Sequence, residues 1–356
     1  MKTTIDIKRQ HGGDLDTFRE RYGRAPLDYS SNVSPLGVPE EIKQAIAEAA
    51  AEVDRYPDPL CRALTEKIAQ EEGVPSEWVL CGAGAADVIF RAVAAINPAN
   101  TLLPVPSFSE YEHALEQVPG RVDYFPSMEW NGFRLDQTFL DRIDDSVDLV
   151  MLCEPNNPTG VLDHKQYLNR VFEACEQHDA WLIVDESFLD MTENAEEMTM
   201  TPQLGEDHKL LIIRSFTKMY AMAGVRLGYC LCGSAKLLAG MREQGPPWGV
   251  SHIAQKAGLA AFEAGAYKER VLEMVRTEKP YLYEGLRSLG LYVLPGAANY
   301  LFFKGPLKLP ELLSEKGILI RDCSNYRGLG GGWYRIAVRT HEENEQLLAA
   351  MREVCQ

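Results

Sequence analysis

Four stretches of this sequence follow apolar runs and each offers a group that could do chemistry. The run ending at Cys153 leads into EPNNPTG, which contains Asn157, and the run WLIVD ends in Asp185. The run LLIIRS leads to Lys218, and WVLCG leads into the small-residue turn at 82–86. In open α/β sheets, ligands bind outside the carboxyl ends of the strands. If these runs are strands of one sheet, the four groups meet at a single edge.

Together these groups match the needs of one kind of cofactor. Lys218 is an amine nucleophile that can condense with an aldehyde, and the Asp185 carboxylate can hold a positively charged ring nitrogen. The Asn157 amide can donate to a phenolic oxygen, and a small-residue turn that opens a helix offers backbone N–H groups to a phosphate. Three further donors could complete that phosphate site: Ser215, Thr217 and Arg226. Pyridoxal phosphate (PLP), which acts as an electron sink, has these four requirements.

The motifs EPNNPTG, VDESF and SFTKMYAMAGVRLGY resemble those of fold-type I PLP enzymes of the class I/II aminotransferase superfamily. The resemblance covers essentially the whole chain. It implies that Lys218 is the Schiff-base lysine, that Asp185 partners the pyridine nitrogen and that Asn157 contacts the ring hydroxyl. It also implies a set of cofactor-binding residues, in which Phe108 stacks on the ring and the others surround the phosphate: Gly84, Ala85, Phe108, Ser215, Thr217, Arg226 and Tyr56. Because the RYPD turn that holds Tyr56 resembles one that crosses a subunit interface, the resemblance also implies a homodimer.

Two subgroups of this superfamily are similar to the chain, the threonine-phosphate decarboxylases of cobalamin synthesis and the histidinol-phosphate aminotransferases. Both share the RYPD turn at 55–58 and an N-terminal segment like SNVSPLG at 31–37. The stretches HGGD, PPWGVS, ILIRDCSNYRGL and YRIAVRTHEENEQLL look more like the decarboxylases. Phe188 does so too, since many aminotransferases carry a tyrosine there. The resemblance therefore favours PLP-dependent decarboxylation of threonine phosphate, or of a close phospho-amino acid, to aminopropanol phosphate.

An anionic, phosphorylated amino-acid substrate requires cationic donors within a protein whose formal charge is −16. Arg335 occupies the position of the family's anion-holding arginine, and Arg321 and Arg339 lie in flanking predicted strands. The resemblance places the segment around His11 at the mouth of the active site, and Asn32 lies in the N-terminal segment shared by both subgroups. We therefore predict that these five residues bind substrate.

The reaction type depends on which bond of the bound substrate stands perpendicular to the cofactor ring. An arginine that holds the α-carboxylate in the ring plane leads to proton loss, with Lys218 as general base, and so to transamination. Arginines that hold a side-chain phosphate leave the carboxylate free to turn and depart as carbon dioxide. Spacing alone leaves both open, so an aminotransferase acting on histidinol phosphate remains the alternative. The sequence lacks the glycine fingerprint of a dinucleotide site, and no basic DNA-binding segment accompanies the large predicted domain.

The elements that must position these groups form a recognisable pattern. Continuous apolar runs, typical of strands covered on both faces, alternate with helical stretches. Six of them lie in the first two-thirds of the chain: 78–82, 101–105, 147–153, 181–185, 210–215 and 227–232. We predict an α/β fold of a mostly parallel sheet with helices on both faces, plus a smaller α+β domain. The predicted divisions are an N-terminal segment at 1–40, a PLP-binding domain at 41–245, and a long helical segment over 251–288 with the small domain at 246–356.

Length and composition agree with a two-domain globular enzyme. The chain has 356 residues, of which 52 are acidic and 36 basic, a balance that repels a phosphate backbone and argues against nucleic-acid binding. The eight cysteines include no CxxC pair, so no metal site is indicated. The start of the chain lacks the apolar segment of a signal peptide, and no run is long enough to cross a bilayer. We therefore expect a cytoplasmic enzyme without a membrane partner.

Overall fold

The computed structural model describes residues 11–355. Residues 1–10 and Gln356, which belong to the predicted N-terminal segment and to the end of the predicted small domain, lie outside the described part. The expectation about a signal peptide also rests on those first residues. The strands are β1 (Leu27–Asp28), β2 (Val79–Gly82), β3 (Asn100–Val105), β4 (Arg121–Pro126), β5 (Leu149–Cys153), β6 (Trp181–Asp185), β7 (Leu210–Ser215), β8 (Gly228–Cys232), β9 (Tyr292–Leu294), β10 (Tyr300–Lys304), β11 (Ile318–Leu319), β12 (Arg321–Asp322) and β13 (Trp333–Ala337).

Helices separate most of these strands. They are α1 (Leu15–Tyr22), α2 (Glu40–Ala50), α3 (Arg62–Glu72), α4 (Ala85–Ile96), α5 (Ser109–Leu115), α6 (Gln137–Leu140), α7 (Lys165–Gln177), α8 (Ala195–Met198), α9 (Ala235–Glu243), α10 (His252–Ala261), α11 (Gly265–Ser288), α12 (Leu309–Glu315) and α13 (His341–Val354). Within the described residues, none of these helices is both long enough and apolar enough to cross a bilayer.

The large sheet contains seven strands in the order β2-β8-β7-β6-β5-β3-β4. Strand β8 is antiparallel to both of its neighbours, whereas β3 to β7 pair in parallel. This confirms the predicted mostly parallel α/β fold. The edge strand β4 was not predicted, because its residues are partly or fully exposed and do not form an apolar run.

Burial on both faces explains why the central strands read as continuous apolar runs. In β5, Val150 and Leu152 pack into the core on one side of the sheet, while Leu149 and Met151 pack into a separate core on the other. Alternate side chains of a strand point to opposite faces. The helices therefore cover both faces, as the sequence pattern predicts for a parallel sheet.

The second unit is built on a four-stranded antiparallel sheet in the order β12-β13-β10-β9. The N-terminal strand β1 pairs in parallel with β11, which links residues before 40 to this part of the chain. Helices α11, α12 and α13 supply its core with residues such as Leu282, Leu313 and Leu347. The exact domain boundaries stay a prediction.

The prediction of one helical segment over 251–288 is wrong in one respect. The segment forms two helices, α10 and α11, interrupted at residues 262–264. The second helix begins at Gly265, a residue type that weakens a continuous helix. After the break, the Tyr267 hydroxyl donates a hydrogen bond to the Gly37 carbonyl at 2.6 Å, and its oxygen lies 2.8 Å from Ser34 Oγ. The interruption thus lets α11 anchor the segment that follows β1.

Candidate active site

Lys218 lies three residues beyond the end of β7, at the carboxyl edge of the large sheet. Its backbone carbonyl accepts a hydrogen bond from the Ser34 N–H at 2.9 Å, and its Nζ lies 5.3 Å from the centre of the Phe188 ring. Burial, and next the positive charge of Arg335, lower the pKa of Lys218 to about 8. The amine is therefore much more often neutral near pH 7 than an exposed lysine, which is the form a nucleophile needs.

Asp185, the last residue of β6, is held by two donors on its buried carboxylate. The Tyr111 hydroxyl donates to Oδ2 at 2.7 Å, and the backbone N–H of Ser187 donates to Oδ1 at 2.9 Å. Burial nevertheless raises the pKa of Asp185 above its usual value. Sequence reasoning missed Tyr111, because nothing in its position three residues after Phe108 indicates a partner 74 residues later in the chain.

Asn157, in the turn after β5, is oriented by two residues of the small unit. Its Oδ1 accepts hydrogen bonds from an Arg335 terminal nitrogen and from the Tyr326 hydroxyl, the latter at 3.3 Å. With its oxygen so engaged, Nδ2 is the atom that can donate to a ligand. Tyr326 is a second contact that the sequence did not reveal.

The turn before α4 forms a cup whose size depends on glycine. Gly84 precedes α4 with a φ of 95°, a conformation suited to glycine. A Cβ at Gly84 would lie 2.6 Å from an Arg226 guanidinium nitrogen, and a Cβ at Gly228 would lie 2.6 Å from the Ala85 backbone nitrogen. The first N–H groups of α4 and the Arg226 side chain thus converge, which is a favourable arrangement for an anion.

Ser215 ends β7, and Thr217 directly precedes Lys218 in the turn that follows. Ser215 is paired with Gly228 across β7 and β8. Its Oγ accepts a hydrogen bond from the Thr217 backbone N–H at 3.2 Å. Both hydroxyl side chains are therefore carried on the same short turn as Lys218, as the sequence predicts.

Two buried arginines face each other across a strand pair of the small unit. Arg321 on β12 is directly opposite Arg335 on β13, and their exposed fractions are 5% and 6%. Arg335 donates to the Ser30 carbonyl at 3.0 Å, and its Nε is buried without a described partner. Arg321 donates to the Asp322 carbonyl and to Asn325 Oδ1. Like charges directly opposite each other destabilise a sheet, so this pair favours a bound anion.

The remaining predicted substrate residues lie in different surroundings. Asn32 is 2% exposed, and both polar atoms of its side chain are buried without a described partner. His11 Nε2 lies 2.9 Å from Glu110 Oε1, and its ring is 6.0 Å from that of Phe108. Arg339 instead donates to the Asp28 carbonyl at 2.9 Å and to Glu343 at 2.7 Å. Its predicted contact with substrate stays a prediction.

The two aromatic residues predicted to bind the cofactor, Phe108 and Tyr56, differ in their exposure. Phe108 directly precedes α5 and contacts Tyr111 edge to face, with ring centroids 5.6 Å apart. Tyr56 is 80% exposed, and its ring lies 4.6 Å from that of Trp248. Within one chain, Tyr56 therefore belongs to an exposed surface. This position agrees with a residue that serves a neighbouring subunit.

The fold and the convergence of Lys218, Asp185 and Asn157 at one sheet edge define the class of fold-type I PLP-dependent enzymes. The family model of aminotransferases of class I and II matches residues 25–351. A threonine-phosphate decarboxylase from Salmonella typhimurium is 34% identical over 97% of this chain and 96% of its own length. A histidinol-phosphate aminotransferase from Methanothermobacter thermautotrophicus is 32% identical over 97% of this chain and 94% of its own length.

A solved structure shows the same fold. The histidinol-phosphate aminotransferase from Sinorhizobium meliloti, in complex with pyridoxal-5'-phosphate, superimposes with a TM-score of 0.86 and 21% identity, and the match covers 100% of this chain and 98% of the other. The chain belongs to the class I and II aminotransferase family, and its cofactor is PLP.

The described residues themselves fit PLP, independently of the similarity to known proteins. A cup that a Cβ would fill lies at the start of α4. Beyond it lie an amine with a lowered pKa and a buried carboxylate held by two donors. Arg335 Nε and both polar atoms of the Asn32 side chain are buried without a described hydrogen-bond partner. The cup can hold the phosphate of PLP, the amine can bond its aldehyde, and the carboxylate can pair with its ring nitrogen.

The lowered pKa of Lys218 leads to a pH prediction. Only the neutral amine attacks an aldehyde, and we expect its fraction in the cofactor-free protein to reach one half near pH 8 rather than near 10.5. The rate of covalent PLP capture should therefore rise with pH and level off above about pH 9. Stopped-flow absorbance followed by borohydride trapping measures this rate. A rate that keeps rising to pH 10.5 would contradict the lowered pKa.

Tyr111→Phe removes a hydrogen bond that favours the charged form of Asp185. We expect the pKa of Asp185 to rise further, so the acid limb of the kcat/KM profile should move to higher pH. Hydrogen bonds to charged groups contribute about 1.5–3 kcal/mol, which predicts a roughly 10- to 100-fold loss of activity near neutral pH. Tyr124→Phe is the matched control, because Tyr124 donates at 2.7 Å to the carboxylate of Glu112. Equal profiles for the two variants would argue against a role for Tyr111.

Proposed function

We propose that this PLP-dependent enzyme decarboxylates L-threonine O-3-phosphate, or a close phospho-amino acid, to carbon dioxide and aminopropanol phosphate. The 34% identical relative that is a threonine-phosphate decarboxylase supports the proposal over nearly the full chain. The observation that carries it furthest is the buried cross-strand pair of Arg321 and Arg335. A substrate with both a phosphate and a carboxylate supplies the negative charge that such a pair favours.

In this proposal the substrate phosphate binds to Arg321 and Arg335. A guanidinium offers several donors in a fixed plane, which suits the oxygens of a phosphate. The Nε of Arg335, buried without a described partner, is one donor available to it. Holding the phosphate here leaves the carboxylate free to stand perpendicular to the cofactor ring, the orientation in which its bond to Cα can break.

Other predicted residues would orient the substrate from the remaining sides. The buried Asn32 amide, whose two polar atoms lack described partners, can bond the substrate's polar groups. The segment around His11 lies against the same region, since a Cβ at Gly12 would be 2.1 Å from the Ser30 carbonyl oxygen. That carbonyl also accepts from Arg335. In this proposal His11 would cover the mouth of the site and help to exclude water.

The cofactor would be held by the residues at the sheet edge. Lys218 would bond its aldehyde, Asp185 its ring nitrogen and Asn157 Nδ2 its ring oxygen. The phosphate would bind in the cup formed by these residues: Gly84, Ala85, Ser215, Thr217 and Arg226. Phe108 would pack on the ring. Phe188, 5.3 Å from Lys218 Nζ, has no hydroxyl and so adds no further donor to the ring oxygen.

When bound, PLP supplies the electron sink for the pair released at Cα. Lys218 Nζ would then return a proton to Cα in place of the departed carboxylate. A pKa of about 8 allows Lys218 to carry and release a proton near neutral pH. Asp185, whose carboxylate accepts hydrogen bonds from Tyr111 and Ser187, would pair with the ring nitrogen.

We also propose that the working unit is a homodimer. Large apolar side chains are exposed together around residue 56: Val53, Tyr56, Leu60 and Trp248. Exposed apolar patches of this kind mark interaction surfaces. Light scattering should give a mass twice the 39.8 kDa of the chain. When the cofactor-free protein is titrated with PLP, Tyr56→Ala should bind PLP more weakly than the parent chain does. A monodisperse monomer with full PLP affinity would contradict this.

One experiment separates the decarboxylase from the alternative, an aminotransferase acting on histidinol phosphate, which the 32% identical relative supports. The purified holoenzyme is incubated with threonine phosphate and no keto acid. Continued release of carbon dioxide and aminopropanol phosphate over many turnovers supports decarboxylation. A stop after one equivalent per site, relieved by adding a keto acid, would favour transamination, and histidinol phosphate with 2-oxoglutarate is the positive control for that outcome.

A further inference from the structure

Lys279 is a partly buried lysine of α11 whose ammonium group donates to the backbone of another part of the chain. Its Nζ donates to the carbonyls of Gly296, Ala297 and Ala298 at 2.9, 2.8 and 3.2 Å. A lysine ammonium group has three N–H donors, so each donor has one carbonyl acceptor. Lys279 therefore holds three consecutive carbonyls of the chain at one point.

These carbonyls belong to the segment 296–300, which leads from the end of β9 into β10. The segment packs closely against the turn that holds Asn157. The Ala297 N–H donates to the Gly160 carbonyl at 2.7 Å. A Cβ at Gly160 would lie 3.1 Å from the Gly296 Cα, so the two backbones approach more closely than a side chain at either position would comfortably allow.

The turn beside this segment is closed by short backbone hydrogen bonds. The Asn156 N–H donates to the Val161 carbonyl at 2.6 Å, and the Gly160 N–H donates to the Asn156 carbonyl at 2.6 Å. The Tyr300 hydroxyl donates to that same Asn156 carbonyl at 2.7 Å. Asn157 is the next residue of this closed turn, so the place of its side chain depends on where the segment 296–300 holds the turn.

The same segment contacts two other residues of the candidate site. The Asn299 side chain donates from Nδ2 to the Asn32 carbonyl at 3.1 Å. The Tyr300 ring packs edge to face on that of Phe188, with centroids 5.1 Å apart, and Phe188 is the ring next to Lys218 Nζ. A displacement of the segment would therefore affect the site at three places.

We propose that Lys279 is a positioning residue of the active site, which fixes the segment 296–300 through its three carbonyls and thereby holds the side chain of Asn157 in place. The inference deepens the proposed function, since it rests on the contact of Asn157 with the ring oxygen of PLP. Without the ammonium group, three converging carbonyls lose their donor, and a buried acceptor without a partner is unfavourable. The segment then relaxes, and the turn moves with it.

The test follows the absorbance of bound PLP against pH in the purified holoenzyme. A donor to the ring oxygen stabilises the form of bound PLP that has lost a proton, so removing this donor raises the midpoint of the titration. Asn157→Ala is the reference and should raise the midpoint. Lys279→Met should shift it in the same direction and lower kcat/KM for threonine phosphate by about 10- to 100-fold, because small misplacements can cost about 10²-fold.

A double variant separates positioning from the simple loss of a positive charge. If Lys279 acts through Asn157, Asn157→Ala combined with Lys279→Met should shift the midpoint no further than Asn157→Ala alone, whereas an independent charge effect would add. Lys304→Met is the control, since it removes an exposed lysine at the far end of β10 that lies 3.1 Å from a Glu129 carboxylate oxygen. This variant should match the parent chain in midpoint and in kcat/KM.

The possible outcomes distinguish this inference from the proposed function. If Asn157→Ala raises the midpoint but Lys279→Met does not, or if the two shifts add, the positioning role is overturned while the role of Asn157 stands. If Asn157→Ala leaves the midpoint unchanged, both are refuted. Should Lys279→Met fail to fold, Lys279→Gln keeps two donors and should give a smaller shift of the same sign, and a folded Lys279→Gln without any shift overturns the inference.

Discussion

Replacing Lys218 with alanine is expected to abolish covalent attachment of PLP and to lower kcat by more than about 10⁴-fold, because positioned proton transfer alone contributes up to about that factor. The variant loses both the amine that bonds the aldehyde and the group that returns a proton to Cα. Borohydride reduction of the holoprotein, followed by peptide mapping, measures the attachment. In the parent chain the label should lie on Lys218.

Lys218→Arg is the informative control, because it keeps a positive charge but lacks a nucleophilic amine at neutral pH. It should retain the fold and bind PLP without a covalent bond. If either variant carries the borohydride label at another lysine with full activity, the assignment of Lys218 fails.

Arg335→Ala is expected to lower kcat/KM for threonine phosphate by about 30- to 4,000-fold, since removing one partner of a buried charged contact costs about 2–5 kcal/mol. A second effect follows from the position of Arg335. Its charge lowers the pKa of Lys218, so its removal should shift the pH dependence of PLP capture towards higher pH. A purely structural role for Arg335 would not move that profile.

Two variants control for this result. Arg335→Lys keeps the charge but loses the planar fork, so the pH profile should be largely retained while substrate affinity falls. Arg276→Ala removes a half-exposed arginine of α11 that pairs with Glu193 and Glu273, and exposed pairs of this kind contribute little. If Arg335→Ala changes kcat/KM no more than Arg276→Ala does, Arg335 does not bind substrate.

The architecture was predictable where burial is strong. The six apolar runs became strands of the large sheet because a strand covered on both faces needs apolar residues at every position. Strand β4 could not be found in this way, since its residues are mostly partly exposed. The break between α10 and α11 was also missed, because helical periodicity continues across residues 262–264 and only tertiary contacts, such as that of Tyr267 with Ser34, favour the interruption.

The candidate site was predictable in its motifs and less so in its supporting contacts. The types and order of Asn157, Asp185 and Lys218 are local features of the sequence. The donors that orient two of them come from elsewhere in the chain, Tyr111 for Asp185 and Tyr326 for Asn157. A single tyrosine in a sequence can have many structural or functional roles, and its spacing from other residues does not show which role it has.

The sequence by itself determined the fold class and the cofactor, because these follow from the periodicity of burial and from residue types at strand ends, and its motifs carried the resemblance to the family. Only the tertiary structure decided which charges meet. It brought Arg321 opposite Arg335 and directed Arg339 to Glu343. The physical reason is that electrostatic and hydrogen-bond energies depend on distances of a few ångströms between residues far apart in the chain, whereas the hydrophobic pattern of a strand is carried by consecutive residues.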